Sequence, residues 1–267
     1  MTGKPRPSFP AQLGSTLEAK RPGSPALGQP VGAAAAAARP QAIAARPQGV
    51  GMDSSAVRMR MVQKLQGQGV TDAAVLQAMG TIERHRFVDT ALAIQAYEDT
   101  SLPIGLGQTI SKPGVVSRMA ELLRNGATGK LGRVLEIGTG CGYQAAVLSM
   151  LATEVYSIER LRGLHDKARE NLRHLRLPNV HLLFGDGMAG YAKGAPYAAI
   201  IAAAGGEAVP QAWVDQLAMG GRLVAPVVTG GKTGGAQALL VLDKTPQGIR
   251  SSLLEAVHFV PLKSGVA

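Results

Sequence analysis

Cysteine is nearly absent from this sequence. Cys141 is the only one among 267 residues, so the chain cannot form an intramolecular disulfide or a cysteine-based metal cluster. Such a composition is typical of the reducing cytoplasm, where we expect the protein to be located. Long hydrophobic runs are also missing, because no stretch approaches the roughly 20 apolar residues that a transmembrane helix requires. We therefore expect a soluble protein with no membrane partner.

The sequence also lacks a dense basic stripe interleaved with aromatic residues, which is the pattern typical of nucleic-acid binding. Aromatic residues make up 4% of the chain, and its formal net charge is +10. Half of that charge comes from residues 1–50, which contain six basic residues and one acidic residue. Because the remainder is spread over 217 positions, no nucleic-acid partner is predicted.

The sequence also lacks metal-ligand spacing among its histidines. His165 and His174 share a predicted helix, but they lie nine residues apart and on different faces. None of the five histidines has the spacing of a metal site, so we expect no bound metal. The five are His85, His165, His174, His181 and His258.

Residues 1–51 are predicted to be a disordered basic extension rich in Pro, Ala and Gly. The segment shows no sustained helical or strand period and cannot bury enough apolar surface to offset its ordering entropy. A transit peptide is an alternative, although no basic cluster precedes an apolar core of about 7 to 15 residues. A start at Met52 is another alternative. The domain is predicted to span residues 52–267.

The predicted domain has two parts. Residues 52–131 are expected to be largely helical, with a glycine-rich and proline-rich loop at residues 100–114. In residues 132–267, strands and helices alternate, which implies a parallel sheet covered on both faces. The helices are predicted at residues 53–65, 71–79, 115–123, 143–151, 161–175 and 210–217. The strands are predicted at residues 133–137, 154–159, 181–184, 197–203 and 222–227, followed by an antiparallel pair at residues 238–242 and 252–260.

This pattern predicts an α/β fold class, a three-layer αβα Rossmann-like sheet with a helical N-terminal addition and antiparallel C-terminal strands. Its first strand runs into Gly138, Gly140 and Gly142, with Thr139 inside the loop, and then into a helix. Glycines at this position let the backbone turn tightly and approach a ligand closely, although a plain β-α turn is the simpler interpretation. The G-x-G-x-G spacing differs from that of dinucleotide and phosphate loops. Glu136 would repel phosphate but suits a sulfonium cation, which points to S-adenosylmethionine.

Two further acids follow the next two strands. Glu159 ends the second strand, 17 residues after Gly142, where a carboxylate can accept both ribose hydroxyls. Asp186, followed by Gly187, is placed to bind the adenine amino group. By themselves, Glu159 could be a surface charge and Asp186 a turn residue. Together with the glycine loop, they predict an S-adenosylmethionine-dependent methyltransferase.

Over residues 53–267 the sequence resembles the bacterial form of the protein-L-isoaspartate O-methyltransferase family. The segment GQTIS before a helix is the most discriminating feature, because methyltransferases in general lack it. In chain order, the matching motifs are Arg86-Phe-Val-Asp89, Leu102-Pro-Ile-Gly105, Gly107-Gln-Thr-Ile-Ser111, Val134-Leu-Glu-Ile-Gly-Thr-Gly140 and Phe259-Val-Pro-Leu262.

The resemblance implies a role for several residues. Ser111 would lie at the active site, Thr109 and Ile110 would help to form the substrate groove, and Val260 and Pro261 would close that groove from the C-terminal strand. The implied reaction moves a methyl group from S-adenosyl-L-methionine to the free α-carboxyl of isoaspartyl residues in damaged proteins. S-adenosyl-L-homocysteine is the other product. The ester would then break down spontaneously through a succinimide, which starts repair. A monomeric enzyme is expected.

A carboxylate is already ionised at neutral pH, so its methylation needs no general base. Ser111 is therefore interpreted as a hydrogen-bond donor that orients the acceptor carboxylate, and it could also be the N-cap of the following helix. The sequence departs from the family pattern at residues 202–206, Ala-Ala-Ala-Gly-Gly, and at His258, where Arg is common. Cys141, in the glycine loop, is interpreted as a small buried spacer.

Three alternatives are less consistent with the residues. Methyltransferases acting on amino groups of nucleic acids carry an Asp/Asn-Pro-Pro-aromatic segment after the fourth strand, and residues 202–206 lack it. A serine hydrolase would need the G-x-S-x-G elbow, which is absent. A cofactor-binding protein without chemistry would be expected to lose Ser111 or the three acids, yet all four are present.

Overall fold

The computed structural model describes residues 55–230 and 235–267, so the predicted extension at residues 1–51 lies outside the described residues. None of the helices in these two ranges is both long enough and apolar enough to cross a lipid bilayer.

The helices are α1 (Ser55–Gly67), α2 (Ala73–Thr81), α3 (Pro113–Arg124), α4 (Tyr143–Leu151), α5 (Arg162–Arg173) and α6 (Gln211–Gln216). The strands are β1 (Leu102–Gly105), β2 (Gln108–Ile110), β3 (Leu131–Ile137), β4 (Ala152–Glu159), β5 (Val180–Phe184), β6 (Tyr197–Ala202), β7 (Leu217–Val228), β8 (Gln237–Thr245) and β9 (Gly248–Val257).

A seven-stranded sheet forms the centre, with the strand order β5-β4-β3-β6-β7-β8-β9. The five strands from β5 to β7 are mutually parallel, whereas β8 pairs antiparallel with β7 and with β9. The central strand β6 is a short apolar run and the last four residues of β3 are buried, as expected for strands that are covered on both faces. The predicted α/β class and the antiparallel C-terminal pair are therefore confirmed.

Successive residues of β3 point into two separate cores. Val134 packs in the core that α3 and α4 cover, with Met119 and Leu148. Leu135 packs in the core on the opposite face, which α6 covers through Trp213. This alternation follows from the two-residue period of a strand, and it produces the predicted three layers.

The N-terminal helices form an additional layer against α3 and α4. The side chain of Asp72 caps α2 by accepting hydrogen bonds from the amides of Ala74 and Val75. Its other oxygen lies 2.8 Å from Nε of Arg124 at the end of α3, in a largely buried ion pair. The ring of Phe87 packs edge-on against Tyr143 at the start of α4. Short 3-10 turns that the sequence did not reveal lie at Arg84–Phe87 and Thr90–Gln95.

Two predicted segments differ in the structure. Residues 100–114 were expected to be a loop, but they contain an antiparallel hairpin of β1 and β2, with left-handed φ angles at Gly105, Leu106 and Gly107. The last strand was expected to reach Val260, but β9 ends at Val257. Beyond that point the side chain of Gln237, rather than a neighbouring strand, exchanges hydrogen bonds with the backbone of Phe259, so ladder pairing stops.

Candidate active site

A cavity of about 470 Å³ opens at the carboxyl ends of β3, β4 and β6, where parallel sheets commonly bind ligands. The hairpin of β1 and β2 forms the opposite wall. Ten of the residues predicted from the sequence line this cavity. They are Thr109, Ile110, Ser111, Gly138, Thr139, Gly140, Glu159, Gly187, Val260 and Pro261.

The glycines of the cavity are required by backbone geometry and by close packing. Gly138 and Gly140 have φ angles of 90° and 56°, in the left-handed region that side chains disfavour. A Cβ atom at Gly187 would lie only 2.7 Å from Cγ2 of Ile137. The backbone therefore forms a shallow cradle that any larger residue would fill.

Glu159 is held in place by the backbone around it. It is almost fully buried, and its carboxylate accepts hydrogen bonds of 2.9 Å from the amides of Gly140 and Leu161. Each carboxylate oxygen can accept more than one hydrogen bond, so acceptor capacity remains for a ligand. Because Gly140 belongs to the glycine loop, this bond also ties the end of β4 to the loop that follows β3.

Glu136 lies behind the cavity wall instead of lining it. Its carboxylate is completely buried and accepts a hydrogen bond of 2.5 Å from the Ser157 hydroxyl, which lies 2.6 Å from the Thr139 hydroxyl. Burial raises the pKa of Glu136 to about 8, although the bond from Ser157 and the neighbouring Gln144 oppose this shift. Thr139 thus connects the buried acid to the glycine loop that lines the cavity.

One oxygen of Glu136 and the side-chain amide of Gln144 are buried without a hydrogen-bond partner among residues 55–230 and 235–267. Gln144 also lines the cavity, one residue into α4. Because Glu136 does not line the cavity, Gln144 is the one of these two groups that could meet a polar ligand there.

Besides Glu136, two other predicted cofactor residues lie outside the cavity lining. Both carboxylate oxygens of Asp186 accept backbone hydrogen bonds, one from Met188 and one from Gly265. A Cβ atom at Gly142 would lie 3.0 Å from Leu172, so this glycine allows α4 to pack closely on α5. The adenine contact expected for Asp186 and the ligand contact expected for Gly142 stay predictions.

Ser111 lies where two cavities meet. The second cavity, of about 970 Å³, shares Thr109, Ser111, Ala203 and Val260 with the first and continues between α3 and β9. The alternative role of Ser111 as a helix N-cap is wrong, because α3 begins at Pro113 and its N-cap is Lys112. No hydrogen-bond partner of the Ser111 hydroxyl is found in the part of the chain that the structure describes, which leaves it available to a ligand.

Residues that depart from the family pattern help to form the shared wall. The amide of Gly205 donates to the Val260 carbonyl at 2.9 Å, and the amide of Leu262 donates to the Gly205 carbonyl at 2.7 Å. This short parallel pairing, and not β9 itself, places Val260 and Pro261 in the cavity. His258 is exposed and lines the second cavity.

Sequence reasoning missed several lining residues, among them Leu106, Gln144, Arg160 and Lys263. Leu106 could have been found, since it lies between two motifs that the resemblance already used. No pattern in the sequence indicated that Lys263 would line the cavity. Cys141 also lines the cavity, and burial raises the pKa of its thiol to about 11, in keeping with a spacer.

Comparison with known proteins gives consistent results. Residues 56–267 match the family model described as protein-L-isoaspartate(D-aspartate) O-methyltransferase. A protein-L-isoaspartate O-methyltransferase from Methylibium petroleiphilum is 56% identical over 98% of this chain and 97% of its own length. A protein of the same name from Leptothrix cholodnii is 57% identical over 86% of this chain and 80% of its own length.

Solved structures agree with the fold. A protein-L-isoaspartate O-methyltransferase superposes with a TM-score of 0.68 and 28% identity, over 78% of this chain and 67% of that one. A Plasmodium falciparum protein assigned to the same family, solved in complex with S-adenosyl-L-homocysteine, has a TM-score of 0.64. It is 22% identical over 77% of this chain and 98% of its own, which shows a shared fold.

Proposed function

We infer the function of this chain from one premise: it belongs to the protein-L-isoaspartate(D-aspartate) O-methyltransferase family. It is an enzyme that transfers a methyl group from S-adenosylmethionine to the free α-carboxylate of isoaspartyl residues in damaged proteins. The observation that carries this conclusion is that Ser111 of the GQTIS motif and Glu159 of the cofactor side line one cavity. The cytoplasmic location and monomeric state expected from the sequence stay predictions.

The residues present fit the cofactor. S-adenosylmethionine supplies an activated methyl group on a sulfonium ion. Glu159 would accept the ribose hydroxyls, because its carboxylate is already oriented by two backbone amides. The cradle of Gly138, Gly140 and Gly187 would let the ligand approach the backbone. We propose that residues 132–267 hold the cofactor in this way, while residues 52–131 supply the acceptor loop.

Ser111 would orient the acceptor. An isoaspartyl carboxylate is ionised at neutral pH, so the enzyme does not need a general base to generate the nucleophile. A hydrogen bond from the Ser111 hydroxyl would fix one carboxylate oxygen so that the other faces the methyl group. Holding two reacting groups in line removes much of the entropic part of the barrier. Positioning is therefore the main catalytic contribution proposed for this chain.

The lining also limits access of water to the reacting groups. Ile110, Val116, Ala203 and Val260 present apolar surface close to Ser111. A carboxylate that leaves water for such a site loses hydration, which makes it a stronger nucleophile. The same surface would accept the aliphatic part of an isoaspartyl side chain without selecting its neighbours.

The test is transfer of labelled methyl from S-adenosylmethionine to an isoaspartyl peptide, compared with its normal aspartyl twin. We expect label only in the isoaspartyl peptide. Ser111→Ala should lower kcat/KM by about 10-fold to 100-fold, because a hydrogen bond to a charged group contributes about 1.5–3 kcal/mol. Ser252→Ala, an exposed serine on β9 outside both cavities, is the matched control and should leave kcat/KM unchanged.

Equal labelling of the two peptides would refute the assigned substrate. Absence of labelling with S-adenosyl-L-homocysteine still bound would leave a methyltransferase of another substrate class. If Ser111→Ala has no effect while the wild-type enzyme is selective, only the role of Ser111 is wrong.

A further inference from the structure

The start of α3 is capped by a residue that is distant in sequence. Lys112, the N-cap, makes no side-chain hydrogen bond to the helix, and Pro113 has no amide hydrogen to offer. The next amide, that of Gly114, donates instead to Oδ1 of Asp99 at 2.7 Å. The backbone immediately after Ser111 is therefore anchored by a carboxylate 15 residues earlier in the chain.

The contact between Asp99 and Gly114 leaves little room for a side chain at residue 114. A Cβ atom at residue 114 would lie 2.9 Å and 3.1 Å from the two carboxylate oxygens of Asp99. The other oxygen of Asp99 lies 3.4 Å from Nε2 of Gln68 and 3.9 Å from Nζ of Lys112. Asp99 is mostly buried, so these contacts hold it in one position.

A buried arginine fixes the segment that carries Asp99. Arg84 has no exposed surface, and its guanidinium lies 4.9 Å from the centre of the Tyr143 ring. Its Nε donates to the Ala96 carbonyl at 2.7 Å, and Nη2 lies 3.5 Å from the Thr100 carbonyl. These carbonyls flank Asp99 on both sides. A cation removed from water is costly, and these carbonyls and the ring compensate for part of the lost hydration, while Nη1 has no hydrogen-bond partner among the described residues.

Ser111 has little freedom between these anchors. Only Ser111 and Lys112 separate the end of β2 from Pro113, the first residue of α3. The Ser111 hydroxyl has no partner of its own within the described residues, so its position depends on the backbone on either side.

From this geometry we propose that Asp99 is a positioning residue for the methyl-transfer reaction, which holds Ser111 in place through the Gly114 amide. The inference rests on the function proposed above. Asp99 itself takes no part in bond making. A shift of about 1 Å at a positioning group can reduce the rate by as much as about 100-fold, so loss of this anchor should be visible in kcat.

A double-mutant cycle of Asp99→Ala and Ser111→Ala tests the proposal. The rate of methyl transfer to the isoaspartyl peptide is measured as kcat and KM, together with the Kd of S-adenosyl-L-homocysteine and Tm. Asp99→Ala should lower kcat by about tenfold while the Kd stays within about twofold. In the Ser111→Ala background the same change should alter kcat by less than about twofold, because residues that act through one another are not additive.

Two further variants separate positioning from a general loss of structure. Asp99→Asn keeps an oxygen that can accept the Gly114 amide, so it should restore kcat to within about threefold of the wild type. Gly114→Ala keeps Asp99 but pushes its carboxylate away, and it should lower kcat as Asp99→Ala does. Glu98→Ala removes an exposed neighbouring acid and is the matched control.

The proposal is overturned if Asp99→Ala leaves kcat unchanged, if its effect is equally large without Ser111, or if Asp99→Asn is no better than Asp99→Ala. These outcomes differ from failure of the proposed function, in which the wild-type enzyme does not methylate isoaspartyl peptides at all. Should Asp99→Ala not fold, Gly114→Ala and Asp99→Asn still give opposite predictions for kcat.

Discussion

Removal of the Glu159 carboxylate should weaken cofactor binding strongly. Glu159→Ala leaves the buried amides of Gly140 and Leu161 without their acceptor and takes away the proposed acceptor for the ribose hydroxyls. Each hydrogen bond to a charged group contributes about 1.5–3 kcal/mol. Two lost ribose bonds correspond to about 3–6 kcal/mol, and since tenfold in Kd is about 1.4 kcal/mol, we expect a rise of at least about 100-fold.

The assay is isothermal titration of S-adenosyl-L-homocysteine into the purified protein. Glu159→Gln keeps the shape but loses the charge, so its Kd should lie between those of the wild type and Glu159→Ala. The matched control is Glu154→Ala on the same strand, whose side chain pairs with Arg133 at the protein surface. Its Kd should not change. A Kd for Glu159→Ala within about threefold of the wild-type value would refute the assignment of this carboxylate to the ribose.

Two further predictions concern the buried acid and the cradle. Because burial raises the pKa of Glu136 to about 8, from an ordinary value of 4.5, the ligand-free protein should lose stability as pH rises from about 5 to 8. The expected loss is a few kcal/mol in the free energy of unfolding, measured by urea denaturation, and Glu136→Gln should abolish it. Gly187→Ala should lower the free energy of unfolding by about 1–3 kcal/mol and weaken S-adenosyl-L-homocysteine binding, because its Cβ would meet Ile137 at 2.7 Å.

One measured result would contradict each of these two predictions. An equally steep loss of stability with pH in Glu136→Gln would mean that other groups cause it. Gly185→Ala is the control for the cradle, since its Cβ would lie at an ordinary 3.8 Å from Ile158. If both glycine variants lose the same stability, the close contact at Gly187 is not responsible.

The parallel half of the sheet was predictable because its sequence signals are local. Buried strands such as β6 are short apolar runs, and the glycine loop marks the point where β3 turns into α4. The predicted bounds of α4 agree with the structure, and those of the parallel strands other than β7 differ by one or two residues. The class of fold and the family motif could therefore be inferred from the sequence alone.

The sequence did not show which of the two glutamates, Glu136 or Glu159, lines the cavity. Glu136 and Glu159 both stand near the ends of strands, but Glu136 is followed by one more strand residue and points into the α4 layer, whereas Glu159 ends its strand at the cavity. Which acid lines the cavity depends on this one-residue difference. Strand ends are the least predictable feature of a sequence pattern.

Long-range contacts account for the other features that could not be predicted from the sequence. Gly265 donates to Asp186 from 79 residues away, and nothing near Asp186 in the sequence indicates that its carboxylate is used in this way. The burial of Arg84 is equally hidden, because an arginine between Glu83 and His85 would ordinarily be placed at the surface. Both depend on how distant segments pack and not on local pattern.

The wall shared by the two cavities has a consequence for how two ligands bind in solution. Both cavities are lined by Thr109, Ser111, Ala203 and Val260, so ligands in the two cavities would meet the same residues. Thermodynamic linkage then requires reciprocity: the factor by which bound S-adenosyl-L-homocysteine changes peptide affinity equals the factor by which peptide changes S-adenosyl-L-homocysteine affinity. A measured factor different from one would show that donor and acceptor are energetically coupled before any methyl group moves.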